Sequence, residues 1–118
     1  MDSQFNTYLL DEALIGRKEA LERERQATLE QVKQWLAANG SKYGIEKAYI
    51  FGSLVRPNRF TKQSDIDLAV EYIEPEQLFM AMTALAEAIG REVDLIELPQ
   101  CPFAHRIRQE GILWTKTP

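Results

Sequence analysis

Gly52-Ser53 and, further along, Ser64-Asp65-Ile66-Asp67-Leu68 carry the residue types in this chain best suited to phosphate chemistry. The apolar run Ala48-Tyr49-Ile50-Phe51 reads as a strand that breaks at Gly52. A turn or helical start at Ser53 would aim backbone N–H groups and a hydroxyl at whatever lies above the strand end, which suits a phosphate. The polar loop Pro57–Gln63, expected to be mobile, then leads to a second strand that opens with two aspartates at i and i+2. Side chains two apart on a strand share a face, so Asp65 and Asp67 converge while Ile66 and Leu68 point the other way. Neighbouring carboxylates repel each other, and a divalent cation relieves the repulsion. A phosphate cradle beside a carboxylate pair makes a site for a metal–nucleoside triphosphate.

Asp94 is the third acid of interest. It lies between Val93 and Leu95 and shares a strand face with Ile96 and Leu98, where a carboxylate needs a partner or a task. Beside Asp65 and Asp67 it would complete a cluster able to hold two magnesium ions and to take a proton from an attacking hydroxyl. Plainer readings stand next to this one. Simple alternation in a half-exposed strand accounts for Asp65 and Asp67, and Asp94 would fit a solvated sheet edge or an arginine pair equally well.

The elements that must position these groups follow from patterning. From about Asp11 to Asn39 the chain is free of proline and reads as a helix, whereas residues 1–10 carry no pattern. Its charged middle offers Lys18/Glu22 and Glu19/Arg23 pairs at i,i+4. Leu14, Leu21, Thr28 and Trp35 recur at heptad spacing, thickened by Leu29, Val32 and Leu36, and Gly40 is placed to cap the helix. Either the first half of this helix is a solvated face or it meets a partner chain, which allows a homo- or hetero-oligomer. Strands are expected at Lys47–Phe51, Ile66–Tyr72, Glu92–Leu98 and Ile112–Thr115. A short helical turn should end before Pro57. A helix after Glu74-Pro75 buries Leu78, Met82, Leu85 and Ile89 and stops at Gly90. A last helix, Phe103–Glu110, turns Phe103 and Ile107 inward. The order implies an α/β (α+β) fold, a small mixed sheet with flanking helices. The expected division is a helical extension over 1–40 and a compact domain over 41–118.

Composition narrows the functions. With 118 residues there is room for one core, and a net charge of −4 disfavours a groove that tracks a nucleic-acid backbone. One cysteine and one histidine exclude a disulfide framework and leave too few soft ligands for structural zinc. No apolar run is long enough to span a membrane. The opening MDSQFNTYLL lacks the basic and apolar regions of an export signal, so a cytoplasmic location is expected. Cys101 and His105 read as incidental, and Trp35, Tyr49 and Trp114 as core residues rather than nucleobase platforms.

Phe51-Gly52-Ser53-Leu54-Val55-Arg56, then Ser64-Asp65-Ile66-Asp67-Leu68-Ala69-Val70, then Val93-Asp94-Leu95-Ile96, together resemble the minimal nucleotidyltransferase domain of the DNA polymerase beta-like superfamily. The likeness runs from the second half of the first helix through Arg106–Leu113 and leaves residues before about Leu21 uncovered. As a composite it is far more specific than any of its parts. It implies the nucleotidyltransferase fold, with Gly52 and Ser53 gripping the triphosphate, Arg56 either a phosphate contact or an ordinary surface residue, and Ser64 counted among the nucleotide-binding residues. Asp65 and Asp67 would bind magnesium, and Asp94 would bind the catalytic metal and act as base. Pro57 stands where the family usually has glycine, which stiffens the loop but removes no catalytic group.

The implied reaction transfers a nucleoside monophosphate, AMP from ATP, to a hydroxyl with release of pyrophosphate, aided by two magnesium ions. Minimal members of the family are typically paired with a helical HEPN-type toxin, and some adenylylate a tyrosine of that partner. The expectation is therefore a protein adenylyltransferase acting as antitoxin, with no stable nucleic-acid binding. Two alternatives are transfer to a small hydroxylated, aminoglycoside-like molecule, and neutralisation of the partner by contact without chemistry.

Overall fold

The computed structural model describes residues 3–117. Its longest element is α1, Ser3–Asn39, which begins well before the expected Asp11. Leu, Ala, Glu, Gln, Lys and Arg dominate its length, and these lose little side-chain entropy in a helix. Such a helix is about 55 Å long, and it accounts for the elongated extents of 64 × 28 × 25 Å. The C-terminal half buries Thr28, Val32 and Leu36 against the domain. The N-terminal half stands out from it, with Tyr8, Leu10, Leu14 and Ile15 exposed. No helix among the described residues is long and apolar enough to cross a membrane.

The end of α1 differs from the expected Gly40 cap. The chain tightens into a 3-10 turn at Gly40–Tyr43, and Gly44 closes it in the left-handed region at φ 77°, a conformation that favours glycine. Gly40 is needed for space instead. A Cβ there would lie 3.0 Å from the Ile45 carbonyl oxygen and 3.2 Å from the Trp114 ring.

Four strands follow: β1 (Lys47–Phe51), β2 (Ile66–Val70), β3 (Val93–Glu97) and β4 (Ile112–Thr115). They form one mixed sheet in the order β3-β2-β1-β4. β1 is antiparallel to β2 and β4, while β2 and β3 run parallel. A parallel pair needs a crossover, supplied here by α2 (Pro75–Ile89), which ends at Gly90 with φ 77°. The final helix, α3, covers Ala104–Glu110.

Alternation along the strands divides the side chains between two faces. Ile50, Ile66, Leu68 and Val70 meet Val32 and Leu36 of α1 and Ala81 and Leu85 of α2 in the main core. Leu78, Met82 and Ile89 line its margin, so the expected stripe of α2 is observed with Ala81 added. Tyr49 and Ala69 face the other way and pack with Leu98 and Ile107 in a smaller cluster under α3. Trp35 stacks on Tyr43 with ring centroids 5.7 Å apart. The loop between β1 and β2 is anchored, contrary to the expected mobility: Phe60 is only 4% exposed and belongs to the main core.

Candidate active site

Because α3 covers only the Tyr49–Ala69 end of its face, the other end stays open, and the acids gather there. Asp67 lies opposite Phe51 of β1 on one side and opposite Asp94 of β3 on the other, so all three side chains share that face. Asp67 is half-buried and Asp94 is exposed. Asp65 precedes β2, which begins at Ile66, and is exposed. The carboxyl of Asp67 is pushed up to about 6, first by burial, then by the charges of Asp94 and Asp65, and by a hydrogen bond with Asp94. Burial and neighbouring like charges both favour the protonated form of a carboxyl.

Gly52 follows Phe51 and sits directly against this pair. Its φ is 77°, and a Cβ on it would overlap Asp67 Oδ2 and lie 3.0 Å from Asp67 Cγ. The absent side chain is therefore what lets the Gly-Ser turn rest on the carboxylate. Gly52–Val55 is a 3-10 turn ending at Arg56 in extended geometry, the stop expected before Pro57. Ser53 is half-exposed at its start. Arg56 is exposed and pairs with Glu110 of α3 at 3.5 Å. The Ser64 hydroxyl accepts the Thr61 N–H at 2.8 Å, so its place is within the loop's own bonding.

A cleft of about 350 Å³ opens beside Gly52, lined by Phe51, Val55, Arg56, Phe103 and Ile107. Phe103 corrects the expectation that it turns inward with Ile107. It precedes α3 as the cap residue and is 54% exposed, an aromatic wall next to the turn. The i,i+4 spacing that paired it with Ile107 assumed a helix one residue longer.

Among the described residues, no three His, Cys, Asp or Glu side chains are set as a metal-holding group. What the structure brings together is the Asp67–Asp94 pair, with Asp65 close enough to act on it electrostatically. The donors are hard carboxylate oxygens, the type magnesium takes, and Asp65 and Asp94 are solvent-exposed.

Two guanidinium groups, buried at Arg25 and partly buried at Arg91, were not foreseen from the sequence, and both hold the site to α1. Arg25 is 9% exposed. It grips Glu22 through Nε at 2.8 Å and Nη2 at 2.6 Å and donates from Nη1 to the Leu54 carbonyl in the Gly-Ser turn at 3.1 Å. Glu22 thus pairs at i,i+3 with Arg25, not with Lys18. Arg91 performs a similar task on the next loop. Sequence offered no signal for either: Arg25 lies in the charged run Glu22-Arg23-Glu24-Arg25-Gln26 and Arg91 between Gly90 and Glu92, where local pattern does not separate anchors from solvated charge. Arg25→Met should destabilise the fold by about 1–3 kcal/mol, because the Leu54 carbonyl loses its donor. The Arg25 hydrogen bond holds the Glu22 carboxyl down at about 2. That stabilisation is present above the unfolded value of about 4.3 and is lost as pH falls toward 2. Urea unfolding from acid to neutral pH should accordingly show a shallower acid-side decline in the variant.

A family model for polymerase beta nucleotidyltransferases matches residues 30–117. The chain belongs to this family. Among solved structures, a toxin–antitoxin crystal structure with AMP-PNP superimposes with a TM-score of 0.57 at 24% identity, covering 75% of this chain and 73% of that one. A toxin–antitoxin MntA-HepT structure gives 0.53 at 23% identity over 78% and 73%. A structure whose given name is minimal nucleotidyltransferase gives 0.52 at 23% identity over 80% and 93%. These likenesses establish the nucleotidyltransferase fold. No curated protein matches the chain.

Proposed function

We propose that this chain is a magnesium-dependent nucleotidyltransferase that moves AMP from ATP to a hydroxyl of a HEPN-type partner, a tyrosine by preference, and so acts as an antitoxin. The observation that carries the reading is the Asp67 carboxyl, raised to about 6 by burial and by Asp94 and Asp65, with the Gly52 turn resting on it. An acid cluster that costs the fold stability, pressed against a phosphate-binding turn, is what a cation–triphosphate site demands. The toxin–antitoxin complexes among the structural neighbours support the choice of partner.

In this reading Gly52 and Ser53 bind the triphosphate through backbone N–H groups and the hydroxyl. Asp65, Asp67 and Asp94 hold magnesium, which supplies neutralisation of the charge developing on the phosphates. Asp94, the exposed member of the pair, takes the proton of the acceptor hydroxyl. The acceptor oxygen forms a bond to the α-phosphorus, the bond from that phosphorus to the bridging oxygen breaks, and pyrophosphate leaves. Little covalent chemistry falls to the protein, so positioning and electrostatics set the rate. The N-terminal half of α1, within the extension over 1–40, is the surface we assign to the partner.

The pure chain incubated with α-labelled ATP, magnesium and the folded partner should transfer label to the partner. Absence of label there, with transfer to an aminoglycoside-like acceptor instead, would move the assignment to a small-molecule enzyme. Neutralisation of the toxin that survives loss of both Asp65 and Asp67 would mean that contact alone is the function.

A further inference from the structure

Arg91 sits just ahead of β3 with its side chain 11% exposed. Its guanidinium lies 4.7 Å from the centroid of the Phe60 ring. Nη1 donates to the carbonyl of Ser64 at 2.8 Å, with those of Lys62 and Thr61 at 3.2 and 3.4 Å. Nη2 donates to Glu24 of α1 at 2.8 Å. One side chain therefore gathers the carbonyls of the segment that delivers Asp65 and Asp67, and it does so from the turn that leads directly into the strand carrying Asp94. Beside it, the Ile66 N–H donates to the Glu92 carbonyl at 2.8 Å and closes the same junction.

We infer that Arg91 is a positioning residue: it fixes the Asp65–Asp67 segment in register with Asp94, and Glu24 holds the guanidinium in the required plane. The kinetic part of this inference rests on the nucleotidyl-transfer reading. A planar fork can serve several carbonyls and a carboxylate at once, whereas an ammonium acts as a point charge on a flexible stem. Lysine should therefore restore charge without restoring the geometry. A displacement of reacting groups by about 1 Å is enough to cost on the order of 10²-fold in rate.

The test compares Arg91→Ala, Arg91→Lys and Arg108→Ala in the full chain. Arg108 is a control of the same chemistry, since it pairs with Glu71 at 2.7 Å on the surface. Hydrogen exchange, run without ATP or partner, should show amides 61–66 opening at least about tenfold faster in Arg91→Ala while the rest of the sheet keeps its protection. With ATP and partner, kcat should fall on the order of 10²-fold with KM for ATP within about threefold of wild type. Arg91→Lys should fall between the two in both measurements and carries the test if Arg91→Ala does not fold. Arg108→Ala should match wild type. Unchanged exchange over 61–66, or loosening spread evenly over the chain, would overturn the inference, as would a kcat loss no larger than that of Arg108→Ala. If wild type shows no transfer, the functional reading fails and the exchange measurement decides the structural claim alone.

Discussion

Asp67→Asn should lose on the order of 10³-fold or more of the transfer rate and yet melt at a higher temperature than wild type at neutral pH. Both effects come from one feature. The folded state raises the Asp67 carboxyl from an ordinary value of about 3.9 to about 6, through burial, the charges of Asp94 and Asp65, and a hydrogen bond with Asp94. The folded protein therefore prefers the protonated group. The stability this preference contributes is fully present below about pH 3.9 and is lost as pH rises through about 6. At pH 7 the ionised carboxylate stands half-buried with Asp94 and Asp65 acting on it. Asparagine removes the charge and supplies a permanent N–H donor toward Asp94, so the repulsion disappears together with the capacity to bind a cation. The pH dependence of wild-type melting over this range should flatten in the variant. Magnesium should raise the melting temperature of wild type, chelation should reverse the rise, and neither treatment should affect Asp67→Asn. A variant that melts lower than wild type at pH 7, or that keeps its rate within tenfold, would show that Asp67 is an ordinary strand residue.

Gly52→Ala should nearly abolish activity and weaken the fold. At φ 77° an L side chain is strained, which costs about 1–2 kcal/mol. The new Cβ would also overlap Asp67 Oδ2, and crowding of this kind adds about 1–3 kcal/mol when neighbours must move. The second part depends on Asp67 and the first does not. Asp67→Ala placed on the Gly52→Ala background should therefore recover the steric part and leave the backbone part, a coupling that a double-mutant cycle by urea unfolding measures directly. Strictly additive losses would mean that the turn and the carboxylate do not touch. Activity should not return in the double variant, because on the proposed reading it lacks one of the acids that would hold the cation.

Much of this architecture was legible before any coordinates. Strand breaks and the Pro75 start and Gly90 stop of α2 follow from turn residues and from periodicities of two and 3.6, which depend only on backbone geometry. The Gly-Ser turn followed by aspartates on a strand could be read for the same reason. The errors fall where a long-range contact outweighed local pattern. Gly40 resembled a cap, but the Trp114 ring and the Ile45 carbonyl claim the space at its Cα. The Pro57–Gln63 loop resembled a mobile link, but Phe60 is drawn into the core and Arg91 holds the carbonyls that follow. Glu22 had a local partner in Lys18, but a partly buried bidentate contact with Arg25 is stronger than a solvated i,i+4 pair.

By itself the sequence determined which groups are available: aspartates on or beside strands of fixed side-chain parity and a Gly-Ser turn at a strand end, with helices able to cover one face. Only the tertiary structure decided how those groups act on one another. The parallel pairing of β2 with β3 sets Asp67 beside Asp94, two residues far apart in the chain, and electrostatic repulsion depends on distance in space, not on separation in sequence. The same holds for the anchors on α1: Arg25 reaches the Leu54 carbonyl and Glu24 accepts from Arg91, while nothing in composition sets these two apart from the solvated charges around them.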